Sequence, residues 1–168
     1  MTELSKFWTQ QMNNNDIIRR IRYTFDFGDS KMMALFALAG HEATRAQISD
    51  WLKKDDDPAQ QNLNDKQLAI FLNGLIIDKR GKKEGPQPIP EKRLNNNIIL
   101  RKLKIALNLK DDDMLEILKL ADLRISKHEL SAFFRKPEQS QYRLCKDQIL
   151  RNFLQGMQDK YRDNKKGN

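Results

Sequence analysis

Three cations recur at one spacing in two parts of this chain. Arg19, Arg20 and Arg22 are matched 82 residues later by Arg101, Lys102 and Lys104. Each trio follows an asparagine triplet, residues 13–15 or 95–97, and so falls in the opening turns of a helix. Arginine and lysine near a helix start can grip phosphate oxygens, and the orphan N–H groups of the first turn can assist. The asparagine amides could touch sugars or base edges. A second cluster, Lys79, Arg80, Lys82 and Lys83, lies between the two copies. Residues 78–104 hold nine bases against three acids, a net +6, in a chain whose overall charge is +8. Such a concentration attracts polyanions by counterion release. The chemistry these residues offer is recognition of nucleic-acid phosphate. A solvated helix face and a solubilising linker would use the same residue types.

Other chemistry is poorly served. His41-Glu42 and His128-Glu129 occupy different repeat positions and lack the second histidine of a zinc-protease helix. Cys145 is the single cysteine, so neither a disulfide nor a clustered zinc site can be built from cysteines within the chain. With no basic and apolar leader at the N-terminus, it suggests a reducing cytoplasm. The acidic triplets, residues 55–57 and 111–113, are not equivalent under the offset and lack calcium-loop spacing. The second reads as a helix cap and the first as a solvated turn before Pro58. No phosphate-cradling glycine loop and no nucleophile–base–orienter set nominates itself, so neither a cofactor nor a metal is expected.

The elements that must position the cations follow from periodicity. Each copy predicts four helices. In the first, Ile17, Ile21, Thr24 and Phe25 match Ile99, Leu103, Ala106 and Leu107 at helical spacing. The second starts on acidic residues, Asp29 or Asp111, which suit the positive end of the helix dipole. The third opens with a capping box, Thr44 to Gln47 or Ser126 to Glu129. The fourth carries Leu68, Phe71, Leu72 and Leu75, matched by Leu150, Phe153, Leu154 and Met157. Gly74 and Gly156 sit inside it, where a glycine signals close helix–helix approach. No stretch alternates with a strand's period. Pro86, Pro88 and Pro90 make the connection a stiff strap.

The second and third helices of each copy also resemble a helix-turn-helix in layout, with Arg45, Gln47, Ser49 and Lys53, or Lys127, Ser131 and Arg135, as outward readers. The turn is about one residue short of that motif, and an ordinary helical hairpin accounts for the same pattern.

The stretches FLNGLIIDKRGKKEGP, PEKRLNNNIILRKLKIALNLKDDDMLEIL, SKHELSAFFRKP and FLQGM carry a resemblance to the YehS-like family, bacterial proteins with a twice-repeated domain of unknown function. The resemblance implies no activity, cofactor or catalytic residue. Family members start close to the first asparagine cluster, so the opening residues look like an extension.

The expected architecture is all-α: two similar four-helix repeats related by pseudo-two-fold symmetry. The expected segments are an N-terminal extension (1–12) with Phe7, Trp8 and Met12 on a short helix, repeat one (13–77), a basic linker (78–94), repeat two (95–158) and a frayed polar tail (159–168). The expected function is nucleic-acid binding, to DNA or RNA, through paired basic faces, as a monomer or homodimer away from membranes. The rival is a protein-interaction or regulatory adaptor without catalytic activity. A polar pocket between the repeats lined by His41 or His128 would instead favour an enzyme or small-ligand binder.

Overall fold

The computed structural model describes residues 12–162, and every regular element among them is helical. Repeat one supplies α1 (Asn14–Phe25), α2 (Asp29–Leu38), α3 (Arg45–Leu52) and α4 (Asp65–Arg80). Repeat two supplies α5 (Asn96–Ala106), α6 (Asp111–Leu120), α7 (Lys127–Phe133) and α8 (Asp147–Met157). A π-helical turn, Gln158–Arg162, prolongs α8. The proposed N-terminal helix falls almost wholly outside the described residues.

The asparagine triplet is what ties each repeat together. Asn13 caps α1 by accepting from the Asp16 N–H at 2.8 Å, and Asn95 does the same for Ile98 at 2.9 Å. The second asparagine crosses to the fourth helix: Asn14 donates to Asp65 at 2.7 Å and Asn96 to Asp147 at 2.6 Å. The third is buried and bridges the loops around the third helix. Asn15 donates to the carbonyls of Trp51 and Gln61 and accepts from the Leu63 N–H. Asn97 repeats all three bonds with Phe133, Arg143 and Cys145. Buried polar backbone needs such partners, and here a side chain provides them where no ladder runs.

Turns are conserved between the copies in conformation more than in residue type. Asp26 and Asn108, at equivalent places after the first helix, both adopt the left-handed region, with φ of 55° and 53°. Both are residue types that tolerate it. Gly40 and Asp122 do likewise after the second helix. The thin part of the fourth helix is at its glycines. A Cβ on Gly74 would lie 1.8 Å from the Leu35 carbonyl oxygen, and one on Gly156 would lie 2.0 Å from that of Ile117. In each copy the fourth helix therefore presses directly on the backbone of the second.

The core runs through both halves without a break. In repeat one Phe36 packs against Trp51 and Phe71, with ring centroids 5.3 and 5.6 Å apart. Ile18 and Leu100 are buried as well, beyond the single apolar stripe read from periodicity, because the first helices are covered on more than one side. α4 packs on α5 of the other repeat, and α8 with its π turn packs back on α1. This reciprocal exchange is the pseudo-two-fold relation expected of the duplication.

The fourth helices run longer than periodicity indicated. α4 continues to Arg80 and the helical path of repeat two continues to Arg162, inside the stretch expected to fray. In repeat two the reason is packing against α1: Tyr161 meets Phe25 at 5.5 Å and Arg162 lies 3.7 Å over the Tyr23 ring. Among the described residues no helix is long and apolar enough to cross a membrane.

Candidate functional site

The two trios of cations do not stand out as free ridges. They lie on α1 and α5, the helices each repeat offers to the other, and most are engaged within the fold. Arg19 donates to the Lys53 carbonyl at 2.5 Å, pairs with Asp16 and lies 3.6 Å from Asp55. Arg20 reaches across the seam to Gln155 at 2.6 Å. Burial, with Arg151 close by, pulls its guanidinium below the ordinary arginine range. Arg22 is half-buried, with its Nε out of water and without a hydrogen bond. Lys102 is buried and donates to Asn73 Oδ1 at 2.6 Å. It also lies 3.0 Å from Glu91 Oε1, an ion pair in which that oxygen lacks hydrogen-bond alignment. Lys104 pairs with Asp111 at 2.8 Å and sits over the Phe134 ring.

The expectation of two equivalent basic faces is corrected accordingly. Charges on a helix that becomes an internal seam must find partners, since an unpaired buried charge is costly. The second and third asparagines of each triplet are likewise committed to the fold: Asn14, Asn15, Asn96 and Asn97 give their amide N–H groups to protein oxygens.

What remains outward lies at one place, where α4 ends, the strap begins and α5 passes alongside. Arg80, Lys82 and Lys83 are exposed there, and Arg101 is exposed with a single bond to the Phe134 carbonyl at 3.1 Å. Lys79 is exposed too, held 4.7 Å over the Phe25 ring. The nearby acids are largely taken: Asp78 pairs with Lys31 and Glu91 with Lys102. Glu84 on the strap is exposed.

Between these cations runs a groove of about 560 Å³ floored by isoleucines of α4 and α5 and walled by Pro88 of the strap. A second hollow of about 360 Å³ continues it past Arg101 and Lys104 to Phe134. Periodicity alone did not single out this floor. The signal that could have found it is the comparison of the copies, in which apolar residues of one junction oppose polar residues of the other.

The remaining candidates are placed elsewhere. In the helix-turn-helix-like segments Arg45 pairs with Asp29 at 3.2 Å and Lys53 with Asp50 at 2.5 Å. The Gln47 amide is used in the α3 capping box. His41 lies beside the Phe36 ring and His128 is exposed; neither lines the groove between the repeats. Asp113 accepts from the Lys110 N–H at 2.8 Å, the capping use expected of its triplet. A hydrogen bond from Gln60, with Arg19 close by, holds Asp55 below the usual carboxylate range. Among the described residues no three histidine, cysteine, aspartate or glutamate side chains gather as metal ligands.

Comparison with known proteins agrees with the duplication. A family described as "Protein of unknown function (DUF1456)" matches twice, over residues 14–81 and 96–163. The "Uncharacterized protein YehS" of Escherichia coli (strain K12) is 46% identical over 147 residues, covering 87% of this chain and 94% of that protein. No solved structure matches.

Proposed function

The chain belongs to the DUF1456 family, and we propose that it is a nucleic-acid-binding protein whose contact surface is the basic junction between its repeats. The observation that supports this reading is the cluster of Arg80, Lys82, Lys83 and Arg101, exposed and without an acidic partner among the described residues. Lys79 and Lys104 flank it, partly occupied by Phe25 and Asp111. Such cations exchange water and counterions for phosphate oxygens, which gives affinity without reading sequence. The buried thiol of Cys145 fits a reducing cytoplasm, where DNA and RNA are both met.

The test is a titration of labelled duplex DNA and of RNA at 50 and 200 mM salt. With about three phosphates neutralised, affinity should fall roughly 40-fold between the two salts. A triple charge reversal, Arg80→Glu, Lys82→Glu and Lys83→Glu, should abolish binding. A charge-matched control, Lys54→Glu, Lys66→Glu and Lys136→Glu, changes three exposed cations elsewhere and should retain most of it. No binding at low salt, or equal loss in both triples, defeats the proposal.

A further inference from the structure

We infer that the groove between α4 and α5 is a binding site for a free amphiphile, an aliphatic chain carrying one anionic head, with Arg80 and Arg101 taking the head.

The argument rests on the difference between the two pseudo-equivalent junctions. At the α4–α5 junction the floor is Ile76, Ile77, Ile98 and Ile105. At the other junction the same places hold Gln158, Asp159, Asp16 and Tyr23. There the space is taken by the protein itself. Arg162 lies over the Tyr23 ring at 3.7 Å, donates to the Tyr23 carbonyl at 2.6 Å and lies 3.9 Å from Asp26. Arg80 is the counterpart of Arg162. Its neighbours in the groove are Ile105 and Asn108, where Arg162 has Tyr23 and Asp26. The aromatic face and the carboxylate that lock one arginine are thus both missing for the other. Arg80 is left exposed at the mouth of an apolar channel, and Ile105 remains 44% exposed.

The channel's size and lining set the ligand class. A volume of about 560 Å³ lies in the range of small-molecule sites, which are mostly apolar with a few placed polar groups. The floor is aliphatic and carries no aromatic ring, so it suits methylene chains better than stacked bases. The strap, through Pro88 and Glu91, lines one side of the groove. Lys83 adds a third cation at the rim. The one carboxylate present, Glu91, is neutralised by Lys102, so the head end keeps a net positive charge.

This inference goes beyond nucleic-acid binding while sharing Arg80, Lys83 and Arg101 with it: the floor residues are not phosphate contacts, and Lys82 does not line the groove. The probe is dodecanoate below its micellar concentration, measured by equilibrium dialysis against the full chain. One molecule per chain is expected. Arg80→Ala with Arg101→Ala should weaken binding at least tenfold. Ile98→Asp with Ile105→Tyr, which installs residues the other junction already carries, should abolish it while leaving the melting temperature in place. Dodecyltrimethylammonium should bind at least tenfold more weakly. Absence of saturable dodecanoate binding overturns the inference. So does equal binding by the Ile98/Ile105 variant, or binding only to anionic phospholipid vesicles, which would assign the cations to a membrane surface.

Discussion

Lys102 on α5 donates to Asn73 on α4 across the boundary between the repeats, 2.6 Å from Nζ to Oδ1. The pseudo-symmetric bond, Arg20 to Gln155, has the same length. Each repeat thus extends one cation into the fourth helix of the other, at the centre of the seam. A buried cation with a hydrogen-bonding partner makes removal of either member expensive. Lys102→Met should therefore lower stability in urea by about 1–3 kcal/mol. Lys82→Met, at an exposed position, should stay within about 0.5 kcal/mol. A double-mutant cycle with Asn73→Ala should show coupling near 1 kcal/mol. A stability change no larger than that of Lys82→Met would mean that Lys102 does not hold the seam.

The third asparagine of each triplet should outrank the first. Asn97 makes three bonds at 3.0, 2.7 and 2.8 Å, two of them buried, linking the end of α7 to the start of α8. Truncation leaves two carbonyls and one N–H without partners, so Asn97→Ala should cost about 3 kcal/mol. Asn15→Ala should cost a similar amount. Asn95→Ala removes only a helix cap and should cost about 1 kcal/mol. Thermal or urea unfolding of the three variants gives the order directly. Equal effects would show that the buried bridge is dispensable.

How far these features could be read in advance depends on how local their causes are. Thr44 with Gln47 and Ser126 with Glu129 are three residues apart, and both capping boxes form as expected. The copies' common spacing exposed the duplication, and with it the reciprocal packing. The role of Asn15 was not legible, because its partners lie 36 to 48 residues away and no local pattern encodes them. Arg20 was read as outward for the same reason: its partner Gln155 is 135 residues on. Residues 159–162 were read as tail because they are polar, whereas Tyr161 and Arg162 use their apolar bodies against Phe25 and Tyr23. The groove was missed because Ile76, Ile77, Ile98 and Ile105 fall outside the apolar stripes read on α4 and α5, and their meaning shows only when the opposite junction is set beside them.

The glycines of the fourth helices set a steric prediction. A methyl on Gly156 would collide with the Ile117 carbonyl, which is backbone and cannot swing aside. Gly156→Ala should force α6 and α8 apart and cost about 3 kcal/mol or more, at the upper end for overpacked cores. Gly74→Ala should behave alike against Leu35. At Gly28 an added Cβ meets nothing within 4 Å, so Gly28→Ala should change stability by less than about 1 kcal/mol. If Gly156→Ala and Gly28→Ala proved equivalent in urea, the close approach would be wrong.

Cys145 gives a prediction about reactivity and alkaline stability. Its thiol is buried, and burial followed by the neighbouring Asp147 pushes its pKa from 9.0 up to about 12. The thiolate is the reactive form, so at pH 8 the folded chain should resist aromatic disulfide reagents. Labelling should proceed only at the rate at which α8 opens, and should become fast in denaturant. The sign of the pH effect follows from the same shift. In the unfolded chain the thiol ionises near its ordinary value, while in the folded chain it stays protonated well above that. The folded state therefore holds the proton more tightly. Its contribution is fully present below pH 9 and is lost as pH rises toward 12. Cys145→Ala should show a shallower loss of stability between pH 9 and 11 than the parent, with lysine and tyrosine titration common to both. Parallel alkaline curves, or rapid labelling at pH 8 without denaturant, would place the thiol in contact with solvent instead.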